Sequence, residues 1–186
     1  MRSLEECIVV AENILSKDLC EAVINEYGKT NELLAMPLLD NSIDLQARSA
    51  MGLSISHPNT IAVNPSVRGK IDQDLFSASG EAYRKFSEKF FVQSKISDSG
   101  YELLRYEVGQ FYREHIDADS IANRAVSCSF ALNEDYEGGE WAFFGGQYKL
   151  RVPAGSAIMF PSNFLFPHQI LPVSSGVRYS IVTWFF

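Results

Sequence analysis

The chain has 186 residues, 46% of them hydrophobic and 21% charged, enough for one domain to bury a sizeable core without disulfides or a structural metal. Its net charge of −7 argues against a nucleic-acid backbone or an anionic membrane as the main partner. The 12% aromatic content argues against disorder, and no apolar run approaches the ~18–20 residues of a membrane span.

Residues 1–6 are acidic where a signal peptide is basic and then apolar. Cys7, Cys20 and Cys128 are odd in number and widely spaced, which reads as free, buried thiols in a reducing, cytoplasmic compartment. Residues 8–15 read as a short strand entering a helix. Ser16 is its N-cap, Asp18 suits the helix dipole, and Leu19, Val23, Ile24 and Tyr27 form the apolar face. Gly28 reads as a C′ stop. Residues 29–65 are a long, poorly patterned stretch, with a short strand over 48–55 and the composition of a lid. A second helix is predicted over 66–91, with Gly80 weakening its middle.

From residue 101 the pattern changes to strands: 101–108, 111–116, 125–132, 140–144, 148–152, 156–160, 168–173 and 177–185. Gly138-Gly139, Gly145-Gly146 and Pro153-Ala154-Gly155 mark turns between them. Residues 125–132 alternate cleanly, with Val126, Cys128, Phe130 and Leu132 on one face and Ala125, Ser127, Ser129 and Ala131 on the other. Many short strands at this spacing indicate a sandwich or barrel. A small-residue face turned inward leaves room for a ligand.

Three histidines occur: His57, His115 and His168. His115 and Asp117 form an H-x-D triplet at the end of a predicted strand, where i and i+2 project to one side and can grip one cation together. His168 is the candidate third ligand. Two His and one carboxylate on one face of an ion leave positions open for a co-substrate and O₂, as in non-haem Fe(II) oxygenases. Arg178 lies in an apolar strand, where a guanidinium needs an anionic partner that its planar fork matches. His57 reads as a loop residue with a second reading in the lid, Tyr136 as a turn aromatic, and Trp141 as core or cleft. Arg48 and Arg124 read as solvated surface charges or as substrate contacts.

The ordered set Tyr106…Tyr112…His115-x-Asp117, Leu132-Asn133, Gly138-Gly139-Glu140, the 153–160 turn and strand, His168 and Gly176-Val177-Arg178-Tyr179-Ser180 resembles the catalytic core of the Fe(II)/2-oxoglutarate-dependent dioxygenases, in the prolyl 4-hydroxylase-like branch. The resemblance implies an α+β, mainly β fold: a double-stranded β-helix, or jelly roll, with N-terminal supporting helices. Residues 1–186 would form a single domain, with 1–100 as helical support and lid and 101–186 as the catalytic core. It implies His115, Asp117 and His168 as iron ligands, Arg178 and Tyr106 as 2-oxoglutarate contacts, and Tyr112, Trp184 and Arg124 around the substrate. Some relatives carry a Tyr at the position of Ala131 and a hydroxylated residue at that of Val182, so those contacts must come from elsewhere; Thr183, one residue on, points to the opposite face. The implied activity is hydroxylation of a prolyl residue in a peptide or protein with Fe(II), O₂ and 2-oxoglutarate, releasing succinate and CO₂, with ascorbate as a reductant. The alternatives are another side chain or a small metabolite as substrate, or a non-catalytic jelly-roll binding module.

Overall fold

A computed structural model describes residues 3–38, 40–90, 97–119 and 122–186. Two antiparallel sheets face each other. The larger runs β1-β10-β6-β13-β4-β3-β2, from β1 (Val9–Ala11), β2 (Leu34–Ala35), β3 (Met51–Ser54), β4 (Glu102–Tyr106), β6 (Val126–Ala131), β10 (Ala157–Pro161) and β13 (Arg178–Phe185). The smaller runs β5-β11-β8-β9, from β5 (Tyr112–His115), β8 (Trp141–Phe143), β9 (Tyr148–Leu150) and β11 (His168–Ile170). A two-stranded ribbon joins β7 (Tyr136–Gly138) to β12 (Val173–Gly176). This is the expected double-stranded β-helix.

The helices are α1 (Lys17–Tyr27), α2 (Pro58–Val63) and α3 (Pro65–Phe90). Ser16 caps α1 by accepting a hydrogen bond from the Leu19 amide at 3.1 Å. Ile71, Leu75, Ala78, Ala82 and Phe86 make the buried face of α3 and share a cluster with Val126, Cys128 and Phe130 of β6 and Ile181 and Phe185 of β13. The opposite face of the same sheet contributes Leu104, Tyr106, Ile158, Phe160, Val182 and Trp184 to a second cluster with Trp141, Phe143 and Ile170 of the smaller sheet. Strand periodicity therefore sorts one face to the helices and the other to the barrel interior. All eight residues of β13, the strand between β4 and β6, are buried.

Several local expectations change. The strand expected over 8–15 is three residues long, and the segment before residue 100 contributes three strands to the larger sheet. His57 is neither a free loop residue nor a cavity residue: its Nδ1 accepts from the Asn59 amide and caps α2, which sequence periodicity missed because the helix is only six residues long. The strand expected over 168–173 is two, β11 and β12, and residues 136–138, expected as a turn, pair with β12. Gly28 has φ −66°, not a left-handed value. A Cβ there would lie 2.6 Å from the Ile24 carbonyl and 2.9 Å from the Tyr179 ring, so close packing of α1 on β13 is what needs glycine. Phe91, the expected end of the second helix, lies outside the described residues, as do Met1, Arg2 and Leu39.

Candidate metal and co-substrate site

Strand pairing puts His115 directly opposite His168 across the β5–β11 ladder. Asp117 follows β5 by two residues, and its amide donates to the Ser162 carbonyl at 3.2 Å, which ties the chain after β5 to the end of β10. One donor atom from each of His115, Asp117 and His168 lies within 4.8 Å of the others. His115 Nε2 is 3.5 Å from Asp117 Oδ1 and His168 Nε2 is 3.5 Å from Asp117 Oδ2. Adjacent donors on a six-coordinate ion with bonds of about 2.1 Å are about 3 Å apart, so small side-chain shifts complete a facial set.

The surroundings fix the ligand atoms. His115 Nδ1 lies 2.8 Å from the Arg113 carbonyl, and His168 Nδ1 lies 3.0 Å from the Phe166 carbonyl. A carbonyl only accepts, so each Nδ1 carries the proton and each Nε2 presents its lone pair. The Ser127 hydroxyl donates to Asp117 Oδ2 at 2.6 Å, and its own oxygen lies 2.8 Å from the Ser162 hydroxyl. Burial and the neighbouring His115 push His168 down to about 4, so its imidazole is neutral at pH 7 and fit to ligate. Burial alone would raise Asp117; His168, His115 and the Ser127 hydroxyl reverse this and hold its carboxyl well below the usual range. This donor set, two imidazoles and one carboxylate, fits Fe(II).

The three ligands open into a cavity of about 210 Å³, many times the ~10–15 Å³ that one water needs. Arg178, Tyr106, Tyr112, Trp184 and Arg124 all line it, so every expected site residue reaches the same space. Arg178 is 3% exposed, donates to the Ser180 hydroxyl at 3.0 Å and stands 5.1 Å from the Tyr106 ring. It forms no ion pair among the described residues. Burial raises the phenols of Tyr106 and, to about 12, of Tyr112, so both remain O–H donors at neutral pH. Tyr112 stacks on His115 at 3.5 Å. Arg124 lies 3.6 Å from the Trp184 ring and donates to the Asp117 carbonyl at 3.2 Å.

Wall residues that the sequence reading did not assign to the site include Ser180, beside Arg178, and Ser129 and Glu102. The first two were legible in strand alternation: Ser129 falls on the small face of residues 125–132, and Ser180 lies two residues from Arg178 on the same face of its strand. They supply hydroxyls near Ala131 and Val182, while Thr183 faces outward to the Ser99 hydroxyl at 3.4 Å. Arg48, with surface charge as one of its two readings, is 7% exposed and lines the cavity, as do Met36 and Leu38 from the same stretch and Ala122 from the 119–124 loop, whose Ser120 and Ile121 lie outside the described residues. Trp141 serves both core and cavity. Tyr136 does not reach the site; it packs 4.3 Å from Arg151.

Residues 101–186 match the sequence profile of the 2OG-Fe(II) oxygenase superfamily. A PKHD-type hydroxylase from Synechococcus sp. (strain CC9902) is 41% identical over 88 residues, which is 44% of this chain and 39% of that protein. Another, from Thermosynechococcus vestitus, is 36% identical over 138 residues, 61% of this chain and 59% of its own. The chain thus spans roughly two- to three-fifths of the length of these curated relatives. A Trichoplax adhaerens prolyl hydroxylase solved with a hypoxia-inducible-factor peptide superposes with a TM-score of 0.76 at 17% identity, covering 97% of this chain and 83% of the other. A Pseudomonas putida prolyl-4-hydroxylase superposes at 0.67 with 22% identity, covering 96% and 92%. No helix among the described residues is long and apolar enough to cross a membrane. Residues 101–186 thus match the 2OG-Fe(II) oxygenase superfamily in sequence, and the chain shares the fold of these two prolyl hydroxylases.

Proposed function

We propose that the chain is an Fe(II)- and 2-oxoglutarate-dependent dioxygenase that hydroxylates a prolyl residue in a peptide or protein. The observation that carries this reading is the convergence of two Nε2-presenting histidines and one carboxylate in a cavity that also holds an unpaired, buried Arg178. Bound there, Fe(II) would supply O₂ activation coupled to decarboxylation of 2-oxoglutarate to succinate and CO₂. His115, Asp117 and His168 hold the ion, and Ser127 fixes one oxygen of the carboxylate.

Arg178 accepts the distal carboxylate of 2-oxoglutarate, with the Ser180 hydroxyl and the neutral Tyr106 phenol beside it. This charge-assisted contact orients the co-substrate along the cavity toward the metal ligands. Trp141, Phe160 and Ile170 exclude water from that path. Met36, Pro37, Leu38, Ala122 and Arg124 line the cavity and are the surfaces a peptide meets. Ascorbate serves as an external reductant that keeps the iron ferrous. The fold relationship to prolyl hydroxylases supports the prolyl substrate, and the cytoplasm supplies the reducing conditions that three unpaired cysteines suit.

The test is succinate formation from 2-oxoglutarate with Fe(II), with and without proline-rich peptides. Peptide-dependent stimulation and a mass gain of one oxygen on proline are expected. Stimulation only by small metabolites would move the substrate assignment and leave the metal and co-substrate assignments intact.

A further inference from the structure

Arg178 is one cationic group of the cavity; Arg48 is a second. Arg48 precedes β3 and bridges Tyr112 through its backbone. It is 7% exposed and lines the cavity. One terminal nitrogen donates to the Pro37 carbonyl at 2.9 Å, and the guanidinium lies 4.6 Å from the Tyr112 ring. Its Nε is buried and finds no hydrogen-bond partner among the described residues. A charged donor left without an acceptor in a buried site is costly, and such groups mark positions where a ligand completes the bonding.

The charge count points the same way. Arg48, Arg124 and Arg178 face Asp117 and Glu102 around the cavity, a surplus of one positive charge. A divalent ion and dianionic 2-oxoglutarate cancel each other and leave that surplus in place. Arg178 and the ion engage the co-substrate, so the surplus rests with Arg48 and Arg124. The Arg48 guanidinium lies 4.6 Å from the Tyr112 ring, which itself stacks on the ligand His115 at 3.5 Å. Arg48 lines the same cavity as the three metal ligands, so a group held by Arg48 shares that space with them.

We propose that Arg48 is a substrate-recognition residue that binds a carboxylate of the substrate beside the metal, which makes the substrate an acid at or next to the hydroxylated position. The proposal rests on the reading of the cavity as a 2-oxoglutarate oxygenase site and not on the prolyl part of it. The carboxylate belongs to a free carboxylic acid or to an acidic peptide group; the recognition chemistry is the same.

Calorimetric titration of protein loaded with Mn(II) and 2-oxoglutarate tests it, with two acid–amide pairs as probes: N-acetylproline against N-acetylprolinamide, and N-acetylleucine against N-acetylleucinamide. In the wild type, at least one acid should bind roughly tenfold or more tighter than its amide. Arg48→Gln should erase that preference, Arg48→Lys should keep part of it, and 2-oxoglutarate affinity should change less than about twofold in either. An acid preference confined to the leucyl pair would discard the prolyl substrate and retain this proposal. Absence of metal-dependent 2-oxoglutarate binding in the wild type would discard the oxygenase reading itself.

Equal binding of acids and amides by the wild type, or no binding of any acid, overturns the proposal without recourse to a variant. So does an acid preference that survives Arg48→Gln. A fall in 2-oxoglutarate affinity as large as the lost acid preference would assign Arg48 to the co-substrate instead.

Discussion

His115 and His168 are cross-strand partners whose rings lie 4.3 Å apart, and each donates its Nδ1 proton to the carbonyl two residues before it. The β5–β11 register thus delivers two lone pairs to one point, and each faces a different oxygen of Asp117 at 3.5 Å. A slip of one residue in either strand would turn one imidazole away from the cavity.

The Asp117–Ser127 contact gives the first prediction. Ser127→Ala removes a 2.6 Å hydrogen bond from Asp117 Oδ2 and leaves that oxygen free to swing. Divalent-ion affinity should fall roughly ten- to a hundredfold, the usual effect of losing a hydrogen bond behind a ligand. Ser127→Thr, which keeps the hydroxyl, should retain most of it. Mn(II) titration monitored by electron paramagnetic resonance reads both variants.

Arg178→Ala should raise the KM for 2-oxoglutarate roughly ten- to more than a hundredfold, from loss of ~1.5–3 kcal/mol of charge-assisted hydrogen bonding. Metal affinity should change little, because Arg178 is bonded to Ser180 and not to a ligand. Arg178→Lys keeps the charge, loses the fork and should fall between. Initial-rate kinetics of succinate release checks the series.

Two glycines should respond to alanine with opposite signs. At Gly28 a Cβ meets the Ile24 carbonyl at 2.6 Å and the buried Tyr179 ring at 2.9 Å, and Gly28→Ala should cost about 1–3 kcal/mol. Gly80 lies inside α3 with nothing within 4 Å of its Cβ position, and Gly80→Ala should add about 0.5–1 kcal/mol. Urea unfolding curves decide both.

The thiols should differ in reactivity. Burial pushes Cys20 up to about 11 and raises Cys128 as well, while Cys7 is only partly buried. A thiolate forms as pH rises through its pKa, so at pH 8 Cys20 is ionised to roughly one part in a thousand. One equivalent of a thiol reagent should react in native protein at pH 8, and three after unfolding.

Legibility in the sequence followed element length and periodicity. The H-x-D triplet and the alternation of residues 126–131 were readable because strand period alone fixes the side on which each residue falls. That same alternation separated Cys128 and Phe130, which pack on α3, from Ser127 and Ser129, which line the cavity. Long-range partners were not readable. The role of Ser127 depends on where β6 meets Asp117, and the burial of Arg48 depends on a loop laid over Tyr112 from 64 positions away in sequence, neither of which any local pattern encodes. α2, β2 and β7 were missed because segments of two to six residues take their conformation from the neighbours they pair with or cap against.

In the proposed function, His115, Asp117 and His168 hold the iron on which 2-oxoglutarate decarboxylation depends. Release of labelled CO₂ from 2-oxoglutarate carrying the label at C1, in wild type and in folded His168→Ala protein, tests it most directly. The wild type should release CO₂ only with Fe(II) added, and His168→Ala should release none above background while keeping the wild-type circular-dichroism spectrum. Full Fe(II)-dependent release by His168→Ala would contradict the assignment.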